Sequence, residues 1–195
     1  GSCTNNYTLK RTWTATDVCG NKTTVSQTIT VQDTKAPVIT TQATNIEVEC
    51  DGSANTTSLN SWLASNGGAV ATDNCSDVIW TNNFTSLTDS CGTTPATVIF
   101  TVTDACGNTS TSSATFKIKD TKVPTFTTPA PASVTVQCDA VPTAQTLSAT
   151  DTCGTALVTF NEVRTDGSCI NDYILTRTWT ATDVCGNETS VSQTI

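Results

Sequence analysis

Apolar and polar residues alternate in several short stretches of this chain. Residues 45–50 read NIEVEC, residues 97–104 read TVIFTVTD and residues 113–120 read SATFKIKD. Because the side chains of a β-strand point alternately to its two faces, this spacing predicts half-buried strands with one face on a core. The side chains predicted to face that core are Ile46, Val48, Cys50, Val98, Phe100, Val102, Ala114, Phe116 and Ile118.

One stretch has a helical spacing instead. Residues 56–68 read TTSLNSWLASNGG, with Leu59, Trp62 and Leu63 on one side of a helix, threonines before them and two glycines after them. Such start and stop residues predict a short helix. We expect it to cover a sheet edge or one end of the core. A contact between Trp62 and a sugar or a protein partner is the alternative.

Two distant segments are near copies. Residues 1–29 and 167–195 differ only at positions 4, 6, 8, 10, 22 and 24 of the first copy, which are all even. This parity indicates a strand whose odd-numbered side chains, from Tyr7 to Ala15, face a core while the other face is wet. Arg11 and its counterpart Arg177 have the inward parity. We expect each of them to lie beside a tryptophan and to reach a carboxylate at the rim or the surface.

Further markers recur in register with these copies. The pattern TD-V/A-CGN occurs three times and DTK-A/V-P twice, at a spacing that suits domains of immunoglobulin size. We predict the last part of one domain in residues 1–34, a complete domain in residues 35–121 and a domain that lacks its last residues in 122–195. The chain is therefore expected to be a piece of a longer array of repeats.

The ten cysteines recur with the repeats, four in each complete one. Regular, even cysteine usage indicates disulfides and an oxidising location, whereas zinc is disfavoured because the chain has no histidine and no CxxC pair. Cys3 and Cys19 flank a strand of about ten residues that spans ~33 Å, too far for a bond. In each complete repeat, two cysteines are expected at one end of the sandwich and two at the opposite end. Bonds between cysteines at the same end give the predicted pairs Cys75–Cys106, Cys50–Cys91, Cys153–Cys185 and Cys138–Cys169. Cys3 and Cys19 would then bond to an upstream half-repeat or to a neighbouring chain.

Acidic turns are the candidate metal sites. If each linker aspartate lies at the top of the following domain, it meets the turns at that end. The predicted sets are Asp33, Asp73, Asp104 and Asn108 at one junction, and Asp120, Asp151, Asp183 and Asn187 at the next. Clustered hard oxygen ligands suit Ca²⁺, which would stiffen the joint. In the alternative, each aspartate caps its own turn, and Lys35 or Lys122 neutralises the linker carboxylate.

Charge and missing motifs exclude several functions. The net charge is −8 and the nine basic residues are scattered, which argues against nucleic acid and anionic membranes as partners. No apolar run approaches the ~18 residues of a membrane span. Without histidine there is no Ser-His-Asp or Cys-His arrangement, and the chain has no GxSxG, GxGxxG or P-loop sequence. We therefore expect no enzymatic activity.

The motifs as a set resemble a known family. ATD-N/T-C, TATDVCGN and VQDTKAP resemble HYR-type repeats, an immunoglobulin-like family, and the four-cysteine form resembles repeats of Bacteroidota surface adhesins such as the SprB-type gliding adhesins. The resemblance implies an all-β protein of tandem, disulfide-stapled immunoglobulin-like sandwiches whose partners are the neighbouring repeats. It also implies an extracellular, cell-surface location, export by type IX secretion, and a stalk or filament shaft for attachment or gliding.

Two other functions stay open. One is a module that binds glycans or another partner through exposed threonine rows and Trp62 or Trp80. The other is an accessory stalk of a secreted hydrolase.

Overall fold

The structure, a computed structural model, describes residues 3–87, 91 and 94–195. Within them, the helical elements are α1 (Thr56–Ala64) and a 3-10 helix (Asn66–Gly68). The strands are β1 (Tyr7–Thr16), β2 (Lys22–Val31), β3 (Val38–Thr41), β4 (Ile46–Glu49), β5 (Val70–Thr72), β6 (Ile79–Asn82), β7 (Ala96–Thr103), β8 (Thr109–Lys119), β9 (Thr125–Phe126), β10 (Ala149–Thr150), β11 (Ala156–Asp166), β12 (Tyr173–Asp183) and β13 (Glu188–Thr194). The prediction of an all-β, sandwich-like fold with disulfides and one short α-helix is confirmed. None of the helices in this part of the chain is long and apolar enough to cross a membrane.

The chain divides into two compact units, which we describe separately. Unit 1 contains residues 1–46, 57–86 and 96–116, and unit 2 contains residues 47–56, 87–95 and 117–195. The repeat boundaries predicted from the sequence remain a prediction.

The core of unit 1 lies on a sheet of long strands. β7 pairs with β6 and with β8 in the sheet order β4-β8-β7-β6, and the register of β7 and β8 places Val98 opposite Ala114. Val98, Phe100, Val102 and Phe116 are fully buried, and Ala114 nearly so. The predicted alternation is therefore confirmed on these strands. β3 and β5 form a second, two-stranded sheet.

Helix α1 closes this core. Trp62 packs edge-on against Phe100, with 5.2 Å between ring centroids, and tilted against Phe116 at 5.6 Å. Its indole Nε1–H donates to the carbonyl of Thr44 at 3.1 Å. The chain then turns at Gly67, which has a φ of 65° and leaves no room for a side chain, because a Cβ would lie 3.0 Å from the Phe100 ring. The predicted covering role is confirmed, and since Trp62 is only 6% exposed, the alternative of a sugar contact through Trp62 is wrong.

The two copied hairpins differ in burial. β1 pairs with β2 and β12 with β13 in equivalent registers, with Trp13 opposite Val25 and Trp179 opposite Val191. Trp13 is 52% exposed, whereas Trp179 is 1% exposed. The inward face predicted for β1 is therefore not buried in this structure, because the described residues of unit 1 do not cover it as unit 2 covers Trp179.

In unit 2, Trp179 is covered by strand β11 and by the segment around Gln145. β11 pairs with β12 and brings Phe160 to 5.2 Å from the Trp179 ring, while the indole N–H of Trp179 donates to the Gln145 carbonyl at 2.9 Å. Arg177, 4% exposed, forms an ion pair with Glu162 at 2.6 Å and donates to the Pro142 carbonyl at 2.7 Å. The prediction that this arginine reaches a carboxylate at the rim is confirmed.

Candidate functional site

Three disulfides bond cysteines that are far apart in the sequence. They are Cys3–Cys106, Cys50–Cys153 and Cys91–Cys185, with Cα–Cα distances of 5.0, 6.1 and 5.2 Å. Each distance lies in the usual range for a disulfide.

The four predicted pairs are therefore wrong. The cysteines were expected to bond within a repeat, as in Cys75–Cys106, Cys50–Cys91, Cys153–Cys185 and Cys138–Cys169. Instead every observed bond joins cysteines that the predicted boundaries assign to successive repeats, and each bond lies within one compact unit. Cys3 bonds to Cys106, although an upstream or neighbouring partner was expected, and Cys19 is free.

The turn that carries Cys185 is held by an aspartate at its start. Asp183 Oδ1 accepts from the backbone N–H groups of Cys185 and Asn187, both at 2.8 Å, and Oδ2 accepts from the Asn187 side-chain amide at 2.8 Å. Burial alone would raise the pKa of Asp183, but the hydrogen bonds from Asn187 and from the turn outweigh it, so the pKa is lowered. This aspartate caps its own turn, as the alternative interpretation held.

The same turn recurs in unit 1. Asp104 accepts from the N–H groups of Cys106 and Asn108 at 2.8 Å and from the Asn108 side chain at 2.7 Å. Its pKa is also lowered, since these hydrogen bonds outweigh its burial. Asn108 additionally donates to the backbone carbonyl of Asp33 at 3.3 Å. The turn with Cys106 is thereby fixed beside the linker aspartate.

A pair of carboxylates lies next to this turn. The side-chain donor atoms of Asp33, Asp73 and Cys75 lie within 4.8 Å of one another. Asp33 is 7% exposed, and its Oδ2 is buried without a hydrogen-bond partner among the described residues. Asp73 Oδ1 accepts from the N–H groups of Cys75 and Ser76 at 2.8 and 3.0 Å. Two adjacent carboxylates with an unsatisfied buried oxygen are a place where a cation lowers the free energy.

The equivalent group in unit 2 repeats this geometry. Asp120, Asp151 and Cys153 have their donor atoms within 4.8 Å, and Oδ2 of Asp120 is likewise buried and unpartnered in the described part of the chain. Burial raises the pKa of Asp120. A hydrogen bond from the Lys122 N–H acts in the opposite direction, but the negative charges of Asp151, Asp183 and Glu49 raise the pKa further.

The structure brings the predicted carboxylates of each set close together, but not all of them are available to bind a cation. Asp104 and Asp183 use both carboxylate oxygens within their turns, and the sulfur of Cys153 is bonded to Cys50. The carboxylates left for a cation are those of Asp33, Asp73, Asp120 and Asp151. A calcium ion at these residues remains a prediction.

Sequence reasoning missed one contact beside the second site. Gly52 has a φ of 75°, and a Cβ there would lie 2.8 Å from the Thr152 carbonyl oxygen. This close approach brings Cys50 to Cys153. The Asp-Gly pair at residues 51–52 indicates a turn in the sequence, but the residue facing it has no sequence signal.

Comparison with known proteins gives one family match. Residues 126–195 match the family described as "HYR-like domain with 4 cysteines". No curated protein matches the chain.

Solved structures give only distant likenesses. The chain is similar to Drosophila N-cadherin EC1-4, with 12% identity over 97% of this chain and 56% of that one and a TM-score of 0.37. It is also similar to Protocadherin Gamma B7 extracellular cadherin domains 1-4, with 12% identity over 98% and 57% of the two chains and a TM-score of 0.33. This chain spans just over half of either structure. At these TM-scores no argument about function rests on them.

Proposed function

We propose that this chain is a segment of the stalk or filament shaft of a secreted, extracellular adhesion-type protein, built from HYR-like repeats. The supporting observation is that all three disulfides bond cysteines 94 to 103 residues apart, which the predicted repeat boundaries assign to successive repeats. Disulfides persist in oxidising compartments outside the cytosol. Covalent bonds between segments that are far apart in the sequence limit how far the chain extends when it is pulled.

The finer proposal is a surface filament for attachment or gliding, exported by type IX secretion. It is supported by the sequence resemblance given above and by the family match of residues 126–195. The burial of Trp62 removes one candidate contact for glycan binding.

Antibody labelling of the source cells, imaged by electron microscopy, tests this function. We expect labelled filaments that leave the cell surface. Label only on small soluble particles in the medium would contradict the shaft and favour an accessory stalk of a secreted hydrolase.

We also propose that Ca²⁺ binds at the carboxylate pairs Asp33/Asp73 and Asp120/Asp151. The supporting observation is that Oδ2 of Asp33 and Oδ2 of Asp120 are both buried without a hydrogen-bond partner among the residues that the structure describes. A bound cation would satisfy it and remove the repulsion within each pair.

Thermal unfolding in calcium and in EDTA tests this site. We expect calcium to raise the melting temperature of the wild-type chain, and Asp33→Asn/Asp120→Asn to abolish that rise. Magnesium serves as a matched control for ion size, because it requires a smaller octahedral site. An equal melting temperature in calcium and EDTA would contradict the proposal.

A further inference from the structure

Four cysteines of the described residues are free and exposed: Cys19, Cys75, Cys138 and Cys169. Each of them occupies a repeat position whose equivalent is bonded elsewhere in the chain. Cys138 corresponds to Cys50, the first cysteine of a repeat, and Cys75 corresponds to Cys153, the second. Cys169 corresponds to the third cysteines Cys3 and Cys91, and Cys19 to the fourth cysteines Cys106 and Cys185.

The observed bonds follow one rule. The third cysteine of a repeat bonds to the fourth of the next repeat twice, in Cys3–Cys106 and in Cys91–Cys185. The first cysteine bonds to the second of the next repeat in Cys50–Cys153. Under this rule the partners of Cys19 and Cys75 belong to a preceding repeat, and those of Cys138 and Cys169 belong to a following repeat.

We propose that these four cysteines bond to adjoining copies of the same repeat in one chain, so that two disulfides tie every junction of the array. The partner is a further HYR-like repeat that presents the complementary pair of cysteines. This inference goes beyond the stalk function, since it fixes which cysteines join and in which order.

Two of the free cysteines, Cys19 and Cys75, make the same turn hydrogen bond as their bonded counterparts. The Cys19 N–H donates to Asp17 Oδ1 at 2.9 Å, and the bonded Cys185 donates to Asp183 Oδ1 at 2.8 Å. The free cysteine is therefore held in a turn of the same kind as the bonded one.

Cys75 shows the same correspondence with Cys153. Their N–H groups donate to Asp73 and Asp151 at 2.8 and 2.7 Å. The free thiol of Cys75 is therefore carried by a turn of the same kind as that of the bonded Cys153.

Each new bond is a two-electron oxidation. Two thiols lose two protons and two electrons and become one disulfide. A disulfide oxidant such as oxidised glutathione accepts the electrons and protons and becomes two thiols. The reaction proceeds by thiolate attack through a mixed disulfide.

A fused chain tests the rule. Because residues 167–195 repeat residues 1–29 with six differences, residues 1–166 followed by a complete second copy continue the array without a break. The protein is refolded with glutathione, alkylated and mapped by mass spectrometry of non-reduced peptides, with the original chain as reference. We expect Cys138 of the first copy to bond to Cys75 of the second, and Cys91 of the first to bond to Cys19 of the second. The fused chain then has as many reactive thiols as the original one.

The control variant is Cys138→Ser in the first copy. It should leave Cys75 of the second copy open to alkylation while every other bond forms, which shows that the fold persists. Alkylation of Cys138 of the first copy and Cys75 of the second copy in the otherwise oxidised wild-type fusion would overturn the proposal. So would a Cys138–Cys75 bond found only in covalent dimers on a non-reducing gel. The peptide map does not depend on whether cells carry filaments, so the two proposals fail separately.

Discussion

Trp62 and Trp13 are the same kind of residue in opposite surroundings within unit 1. Trp62 fills the core against Phe100 and Phe116, whereas Trp13 lies half exposed on β1. Removing a buried tryptophan costs about 3–5 kcal/mol through lost contacts and the cavity left behind. We therefore expect Trp62→Ala to lose that much stability in urea unfolding followed by circular dichroism.

Trp13→Ala is the matched control and should change the free energy of unfolding by less than about 0.5 kcal/mol. Trp62→Phe should retain part of the stability because it fills part of the space. Equal losses for Trp62→Ala and Trp13→Ala would contradict the assigned core.

The titration of Asp120 makes the folding stability depend on pH, and the sign of this dependence follows from the direction of its pKa shift. Its pKa in the folded chain is raised above the ordinary value of 3.8 by burial and by neighbouring carboxylates. The folded state therefore binds its proton more tightly than the unfolded state does, and this residue lowers stability as the pH rises from about 3.8 through the folded pKa. In EDTA, Asp120→Asn should remove that loss and melt no lower than the wild type at neutral pH.

Thermal melting curves of both chains across the acidic range measure this difference. In calcium we expect the wild type to melt at a higher temperature than Asp120→Asn, since the amide cannot supply the charge that the cation needs. A variant that melts well below the wild type in EDTA would show that the ionised carboxylate is satisfied by the protein alone.

The Asp183 turn is the element that joins β12 to β13. Asp183→Ala removes the acceptor of three hydrogen bonds. Because a lost hydrogen bond within a buried network costs about 1–3 kcal/mol, we expect a loss of that order in denaturant unfolding at neutral pH. The loss should shrink in acid, because a carboxylate with a lowered pKa stabilises the fold above its unfolded pKa and ceases to do so as the pH falls through the folded pKa.

Asp183→Asn is the conservative control. Its amide oxygen still accepts from the backbone N–H groups of Cys185 and Asn187, so it should lose less stability than Asp183→Ala. If both variants are as stable as the wild type, the turn does not depend on this capping.

Strands were the predictable elements of the fold, and their burial was only partly predictable. The alternation around Phe100 and Phe116 is a local property, so the sequence alone locates both strands and their inward faces. Trp13 and Trp179 have nearly identical sequence neighbours, yet one is exposed and one is buried. The difference arises from residues such as Phe160 and Gln145, which are distant in the sequence. A local pattern carries no information about that cover.

At the scale of the whole molecule, the carboxylate pairs and the presence of disulfides were predictable, whereas the disulfide pairing was not. The expected position of the linker aspartate at the top of the following domain correctly brings Asp33 to Asp73, and the recurring cysteines correctly indicate disulfides. Spacing also excludes a bond between Cys3 and Cys19. It cannot decide whether the complementary end belongs to the same repeat or to the next, because both choices satisfy the reach of a disulfide.

The three overlapping disulfide loops determine how the whole molecule responds to force. With the chain pulled from its two ends, the shortest covalent route crosses Cys3–Cys106, returns along residues 91–106 and crosses Cys91–Cys185. About thirty residues lie on that route, so the oxidised chain should extend to about 100 Å, against about 650 Å for the reduced chain. Single-molecule force spectroscopy with and without reductant measures both lengths.

Two variants make this prediction specific to the observed pairing. Cys91→Ser removes the second crossing and should lengthen the oxidised chain to about 300 Å, because residues 106–195 then carry the force. Cys138→Ser alters a free cysteine and should leave the length unchanged. If Cys91→Ser had no effect on the oxidised length, force would not pass through Cys91–Cys185. Resistance of the shaft to extension would then come from the packing of its domains and not from the disulfides.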